Sequence, residues 1–238
     1  MHILRIELLT EKYPTRDAYP FHLEIFNRSQ AIDIKTPVTF FMGENGTGKS
    51  TLLKAIATKC GIHMWGGLER SRYEVNPYEN QLHNAIAVHW SDIRVPGSFF
   101  ASEIFHNFAQ LLDEWASMDR DLLEYFGGKS LLTQSHGQSL LSFFKSRYRI
   151  KGLYLMDEPE TALSPRNQLE LVKVLMDMTR DGHAQFIIAT HSPILLSCPK
   201  ATILSFNKIP IQSVHYEDTE YFNFYRDFLL DRRRFLEF

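Results

Sequence analysis

The stretch "VTFFMGENGTGKST", residues 38–51, joins three local signals in one run. "VTFFM" (38–42) is a short continuous apolar segment, as a strand buried on both faces would be. "GENGTGKS" follows and fits G-x-x-x-x-G-K-[ST] at Gly43, Gly48, Lys49 and Ser50. Leu52, Leu53, Ile56 and Ala57 then recur at helical spacing. Strand, glycine loop and helix in that order form a phosphate cradle. The glycines let backbone N–H groups close around phosphate oxygens, and the helix N-terminus adds partial positive charge. Gly43, Glu44, Asn45, Gly46, Thr47 and Gly48 would line the cradle. Lys49 would reach the β and γ phosphates, Ser50 would ligate Mg²⁺, and Thr51 would bond a more proximal phosphate. The alternative is an ordinary glycine-rich turn.

A second stretch needs a cation. "LYLMDEPETALSP" (153–165) runs from an apolar strand pattern into Asp157, Glu158 and Glu160. Beside a phosphate loop, Asp157 can hold Mg²⁺ directly or through water. Glu158 could then face the γ-phosphate and polarise a water as general base, or be a surface acid capping the next helix. Glu160 reads as an acid favoured by the positive end of the following helix.

The bulk numbers bound the class. With 238 residues, 44% hydrophobic and 23% charged, the chain reads as an ordinary soluble globular protein. A net charge of −2 gives no global basic field announcing nucleic acid. Cys60 and Cys198 are too few for a disulfide framework, and a reducing cytoplasm is the natural setting. No apolar run approaches the ~18 residues that would span a membrane. The start, "MHILRIELLTEKYP", is too short and charged for a signal peptide. The histidines show no zinc-ligand spacing.

Along the chain, "ILRIELL", "FHLEIF" and "AIDI" read as strands of an N-terminal β region, and "NAIAVHW" (84–90) as another strand. Phe100, Ile104, Phe108, Leu111, Leu112 and Trp115 are spaced as a helix over about 98–126. A further helix is expected at 138–149. Strand 152–156, helix 165–180, strand 185–190 and strand 201–206 then alternate as in a parallel α/β sheet, and 217–236 reads as a charged, aromatic helix. The expectation is one α/β domain over 1–238, with a helical lobe inserted at about 95–135. "KSRYRIK" (145–151) and "DRRRF" (231–235) read as solvated charge runs, with a DNA-facing patch as the alternative.

"GENGTGKST", "LYLMDEPE" and "ATHSP" together resemble the ATP-binding-cassette (ABC) ATPases, and within them the soluble RecF/SMC-like branch. The resemblance runs from about 35 to 206 and implies a P-loop NTPase fold: an ABC-ATPase-like head with an N-terminal antiparallel region and a mostly parallel core sheet. It implies ATP and Mg²⁺ as ligands. "QSHGQS" (134–139) resembles the signature loop, matching at Ser135, Gly137 and Gln138, with His136 in place of a glycine. His191 resembles the switch histidine that bonds the γ-phosphate. Ala162 to Ser164 match the D-loop at the dimer interface. The Q-loop stays open between Gln81 and Glu103, and the base-stacking aromatic between Tyr13, Tyr19 and Phe21. Transporter cassettes usually carry Thr or Ser where this chain has Glu160 and Asp where it has Ser164, which argues against a transporter subunit.

The resemblance thus implies a cytoplasmic Mg²⁺-dependent ATPase that dimerises around two ATPs. It would work with a separate effector in DNA maintenance or anti-phage defence, with nucleic acid open as a partner and no membrane. A slow regulatory ATP switch is the second expectation, and a transporter's ATP-binding subunit the third.

Overall fold

β3 (Val38–Met42) is buried at every position, which places it inside a sheet covered on both faces. The computed structural model describes residues 1–64, 76–101, 136–147 and 150–236. β3 pairs in parallel with β7 (Ala184–Ala189) and β8 (Thr202–Ser205). Outward from β7 lie β6 (Gly152–Asp157) and β5 (Gly97–Ala101), both parallel. β9 (Gln212–Val214) closes the far edge antiparallel to β8. The order is β5-β6-β7-β3-β8-β9. A separate antiparallel sheet orders β2 (Ala31–Asp33), β1 (Ile3–Leu8) and β4 (Ile86–Trp90).

Strand alternation builds two cores. Phe40, Tyr154, Met156, Phe186 and Ile188 point to one face, under α3 (His136–Arg147) and α4 (Pro165–Met178). Phe41, Leu153, Leu155, Ile187 and Ala189 point to the other, against α2 (Lys49–Lys59) and the antiparallel sheet. Each such large side chain contributes roughly 1.5–3 kcal/mol of burial.

Two segments differ from the sequence reading. "FHLEIF" is not a strand: Glu24–Arg28 is the short helix α1. Asn27 Nδ2 donates to Phe21 O at 2.8 Å and to Leu23 O at 3.0 Å, which curls the segment so that Ile25 and Phe26 are both buried. Residues 97–101, expected as the entry to the helical lobe, are the strand β5. Phe99 and Phe100 fall on opposite faces, each in a different core, which a helix would not allow. Gly97 packs so tightly that a Cβ would lie 2.3 Å from Leu153 O. The remainder of the expected lobe, 102–135, lies outside the described residues.

Candidate nucleotide site

The parallel strands β3, β6 and β7 end at one edge of the sheet, and the motif residues leave them there. Gly48 is the N-cap of α2 at φ 97°, in the left-handed region that favours glycine. A Cβ there would also meet Phe26 Cζ at 2.7 Å, so the curl of α1 presses the loop from beneath. The Lys49 side chain is buried, and its Nζ donates to Gly43 O at 2.6 Å and Glu44 O at 2.9 Å. Burial lowers its pKa, opposed first by Glu158 and then by Asp157. Thr47 Oγ1 closes the loop onto Glu44 O at 2.9 Å. Glu44, Asn45 and Gly46 are exposed at its crest. The Thr51 hydroxyl bonds that of Tyr19.

Ser50 Oγ donates to Asp157 Oδ1 at 2.8 Å. Burial raises the Asp157 pKa, and the Ser50 bond only partly offsets it. Glu158 follows at φ 45°, ψ 54°, a left-handed conformation that costs a non-glycine residue ~1–3 kcal/mol. Its N–H is held by Ala189 O at 2.9 Å. The kink ends β6 and starts the 3₁₀ turn Pro159–Ala162.

His191 gathers the remaining acids. Its backbone N–H donates to Glu160 Oε1 at 2.6 Å. Glu160 therefore ties the turn after β6 to the loop after β7. The N-terminus of α4 is capped by Ser164, which accepts from Asn167 N at 3.4 Å. Burial raises the Glu160 pKa, and the His191 N–H pulls it back. His191 Nε2 lies 3.4 Å from Glu158 Oε1. It is buried without a hydrogen bond among the described residues. Burial first, and Lys49 second, lower the His191 pKa and favour the neutral ring, against Glu158 and Glu44. The next residue, Ser192, is buried, caps the short helix α5 (Pro193–Leu196) and donates to Gln168 Oε1 at 2.5 Å, fixing the loop on α4.

The structure thus brings Lys49, Ser50, Asp157, Glu158 and His191 to one edge. It does not bring Gln81, whose amide donates to Pro77 O at 2.8 Å at the entry to β4. β5 ends at Ala101, paired with Asp157; Glu103 lies outside the described residues, as does Ser135. Gly137 and Gln138 lie in the first turn of α3. Of the three candidate aromatics, Phe21 is fully buried. Tyr13 donates to Phe26 O at 3.1 Å, and burial pushes its hydroxyl up to about 12. Tyr19 alone reaches the phosphate loop. Leu163 is buried within Ala162–Ser164, and Ser164 is exposed.

Sequence reading missed three residues, all from the C-terminal segment. Asn207 Oδ1 accepts from Glu44 N at 2.7 Å, and its Nδ2 donates to Glu220 Oε2 at 2.5 Å. Tyr221 OH lies 2.7 Å from His191 Nδ1. Glu220 and Tyr221 open α6 (Glu220–Leu230). No local motif marks these positions.

The residues fit a magnesium nucleotide. Among the described residues no three His, Cys, Asp or Glu side chains could hold a metal by themselves. Mg²⁺ bound with phosphates needs only one or two protein oxygens, and the Ser50–Asp157 pair supplies them. The carboxylate whose pKa burial raises, and the unsatisfied His191 Nε2, are groups that gain from a cation and a phosphate. Among the described residues no helix is long and apolar enough to cross a membrane.

Comparison with known proteins agrees with this geometry. Residues 139–197 match the family described as "AAA domain, putative AbiEii toxin, Type IV TA system". The phosphate import ATP-binding protein PstB 2 of Streptococcus pneumoniae is 27% identical over 190 residues, 66% of each chain. The ribose import ATP-binding protein RbsA 2 of Burkholderia ambifaria is 22% identical over 85% of this chain, which spans 42% of that relative's length. The SMC head domain from Thermotoga maritima superposes at a TM-score of 0.52, with 17% identity, over 90% of this chain and 100% of that one. An SMC head solved with the C-winged helix domain of ScpA gives 0.54, with 13% identity, over 91% and 99%. Motifs, strand order and relatives converge: the chain is similar in sequence to ABC-type ATP-binding proteins and has the fold of an SMC head.

Proposed function

We propose that the chain binds Mg·ATP in the Gly43–Thr51 cradle and hydrolyses it. The convergence of Glu158 and His191, 3.4 Å apart beside Lys49 and the Ser50–Asp157 pair, carries this reading. Lys49 would exchange the loop carbonyls it now holds for β and γ phosphate oxygens. Ser50 and Asp157 would hold the metal, which supplies charge neutralisation at the phosphates. Glu158 accepts the proton of the attacking water, and His191 Nε2 bonds the γ-phosphate. Tyr19, on the Thr51 hydroxyl, is the aromatic placed to meet the nucleoside.

Two copies would sandwich two ATPs, each signature loop (Ser135, Gly137, Gln138) closing on the partner's phosphates. Two subunit surfaces would separate on hydrolysis and act through an effector protein in the cytoplasm. A role in DNA maintenance or anti-phage defence draws support from the toxin–antitoxin wording of the matched family and from the SMC-head fold. A second reading, the ATP-binding subunit of an importer, is favoured by the names of the curated relatives. It requires the chain to co-purify with a membrane protein from its own host.

ATP turnover of the wild type and of Glu158→Gln tests the first reading. Loss of a general base lowers kcat by about 10²–10⁴-fold, with ATP binding retained. A wild type no faster than the variant, with or without DNA, overturns it.

A further inference from the structure

α6 lies outside every motif, yet its first turn reaches the site. Thr219 caps the helix by accepting from Phe222 N at 3.2 Å. Asn207 clamps Glu220 to the backbone of Glu44 in the phosphate loop. That anchoring sets Tyr221 against His191, with ring centroids 5.4 Å apart and the hydroxyl 2.7 Å from Nδ1.

The contact matters because His191 has a choice to make. A neutral imidazole carries its proton on one nitrogen only. Nδ1 faces the phenol, while Nε2 faces a carboxylate, which accepts and cannot donate when ionised. We propose that Tyr221 is a positioning residue: its hydroxyl donates to His191 Nδ1 and so holds the proton on Nε2, aimed at Glu158 and the γ-phosphate position. This rests on the hydrolytic reading of the site.

Several groups bear on this pair. Glu158 and Glu160 reach His191 from the turn after β6, Lys49 and Glu44 from the phosphate loop, and Tyr221 from α6. Burial, with Glu44 next, raises the Tyr221 pKa, so the phenol keeps its proton at neutral pH. Glu44 is also the rival acceptor for that proton. If Glu44 took it, the phenol oxygen would accept from Nδ1–H, and Nε2 would turn a lone pair toward the Glu158 carboxylate.

Long-range ¹H–¹⁵N correlation on the full chain with ¹⁵N-labelled histidine distinguishes the two tautomers directly. His191 is assigned among the ten histidines by its absence in His191→Gln. At about pH 8, where imidazoles are neutral, the expected pattern is a protonated Nε2 and a bare, accepting Nδ1. Tyr221→Phe is expected to shift both signals toward a tautomer average and to lower kcat about tenfold, with KM for ATP within about twofold. A merely structural tyrosine would move stability and leave the tautomer alone. Nδ1–H in the wild type overturns the inference, as does a Tyr221→Phe variant with unchanged His191 signals or unchanged kcat. The wild-type spectrum decides the matter even if Tyr221→Phe does not fold. A wild type with no turnover sinks the hydrolytic reading, and the spectrum still decides which group holds the proton.

Discussion

The two ends of the parallel sheet handle buried polarity in opposite ways. At the amino end, Gln185 is fully buried, and its hydrogen bonds are to neutral backbone groups. Its Oε1 accepts from His2 N and Ile3 N, both at 2.8 Å, and its Nε2 donates to Ile3 O at 2.9 Å. Thr36 Oγ1 accepts from Thr202 N at 3.0 Å and so ties β3 to β8. At the carboxyl end charges are buried as well: Lys49, Asp157 and, more partly, Glu160. Burial shifts the pKa of each one toward its neutral form. One end fastens the two sheets together; the other keeps charges out of water at a cost that a bound cation and polyphosphate would offset. Ligands gather at the carboxyl end of such sheets.

The contrast breaks most visibly if turnover and stability are separated. Lys49→Ala is expected to lower ATP turnover by about 10²-fold or more, while the thermal midpoint moves by no more than about 3 °C. A steady-state phosphate-release assay paired with calorimetry checks both halves. A large loss of stability would mean that Lys49 is a structural clamp on Gly43 and Glu44.

Gln185→Leu should do the reverse. It leaves the N–H groups of His2 and Ile3 buried without their acceptor, at a cost of about 2–4 kcal/mol. For a chain of this size that is a fall of roughly 5–15 °C in thermal midpoint. ATP affinity, measured well below the transition, should stay within about twofold of wild type. Weakened nucleotide binding would show that the two ends are coupled through β7.

The same contrast explains what could be read from the chain. That Lys49, Ser50 and Asp157 would meet was legible because their positions are set by local patterns: a glycine loop between strand and helix, and an apolar strand ending in acid. Glu160 was read as a structural acid near the following helix, and its bond to the backbone of His191, far along the chain, had no local signal. Tyr221, Asn207 and Glu220 left no trace, because their meaning is purely spatial: Asn207 bonds a loop 163 positions away. "FHLEIF" misled because its apolar alternation is real, but it serves to place Phe26 beneath Gly48. At 97–101 the aromatic spacing fitted a helix equally well, and the strand is selected by pairing with β6, which Gly97 approaches closely.

The smallest expected effect lies in Asp157→Asn, and it sharpens the contrast most. The folded pKa of Asp157 stands above its ordinary 3.8, chiefly from burial. Between that ordinary value and the raised one, the folded chain binds more protons than the unfolded chain. Stability of the ligand-free protein therefore falls as pH rises through that window, and at neutral pH the carboxylate is a standing penalty. Asparagine keeps a partner for Ser50 and carries no charge. Ligand-free Asp157→Asn should accordingly melt about 1–3 °C above wild type at pH 7, and the gap should close as pH falls toward 4. Glu160 titrates in the same direction, so the wild-type-minus-variant difference, not either curve alone, isolates Asp157. With ATP and Mg²⁺ added, the order should invert, because only the carboxylate gains from the metal and binding stabilises by mass action. A variant that melts below wild type in both conditions would show that the Ser50–Asp157 pair is a structural tie, and the carboxyl end of the sheet would then resemble its amino end.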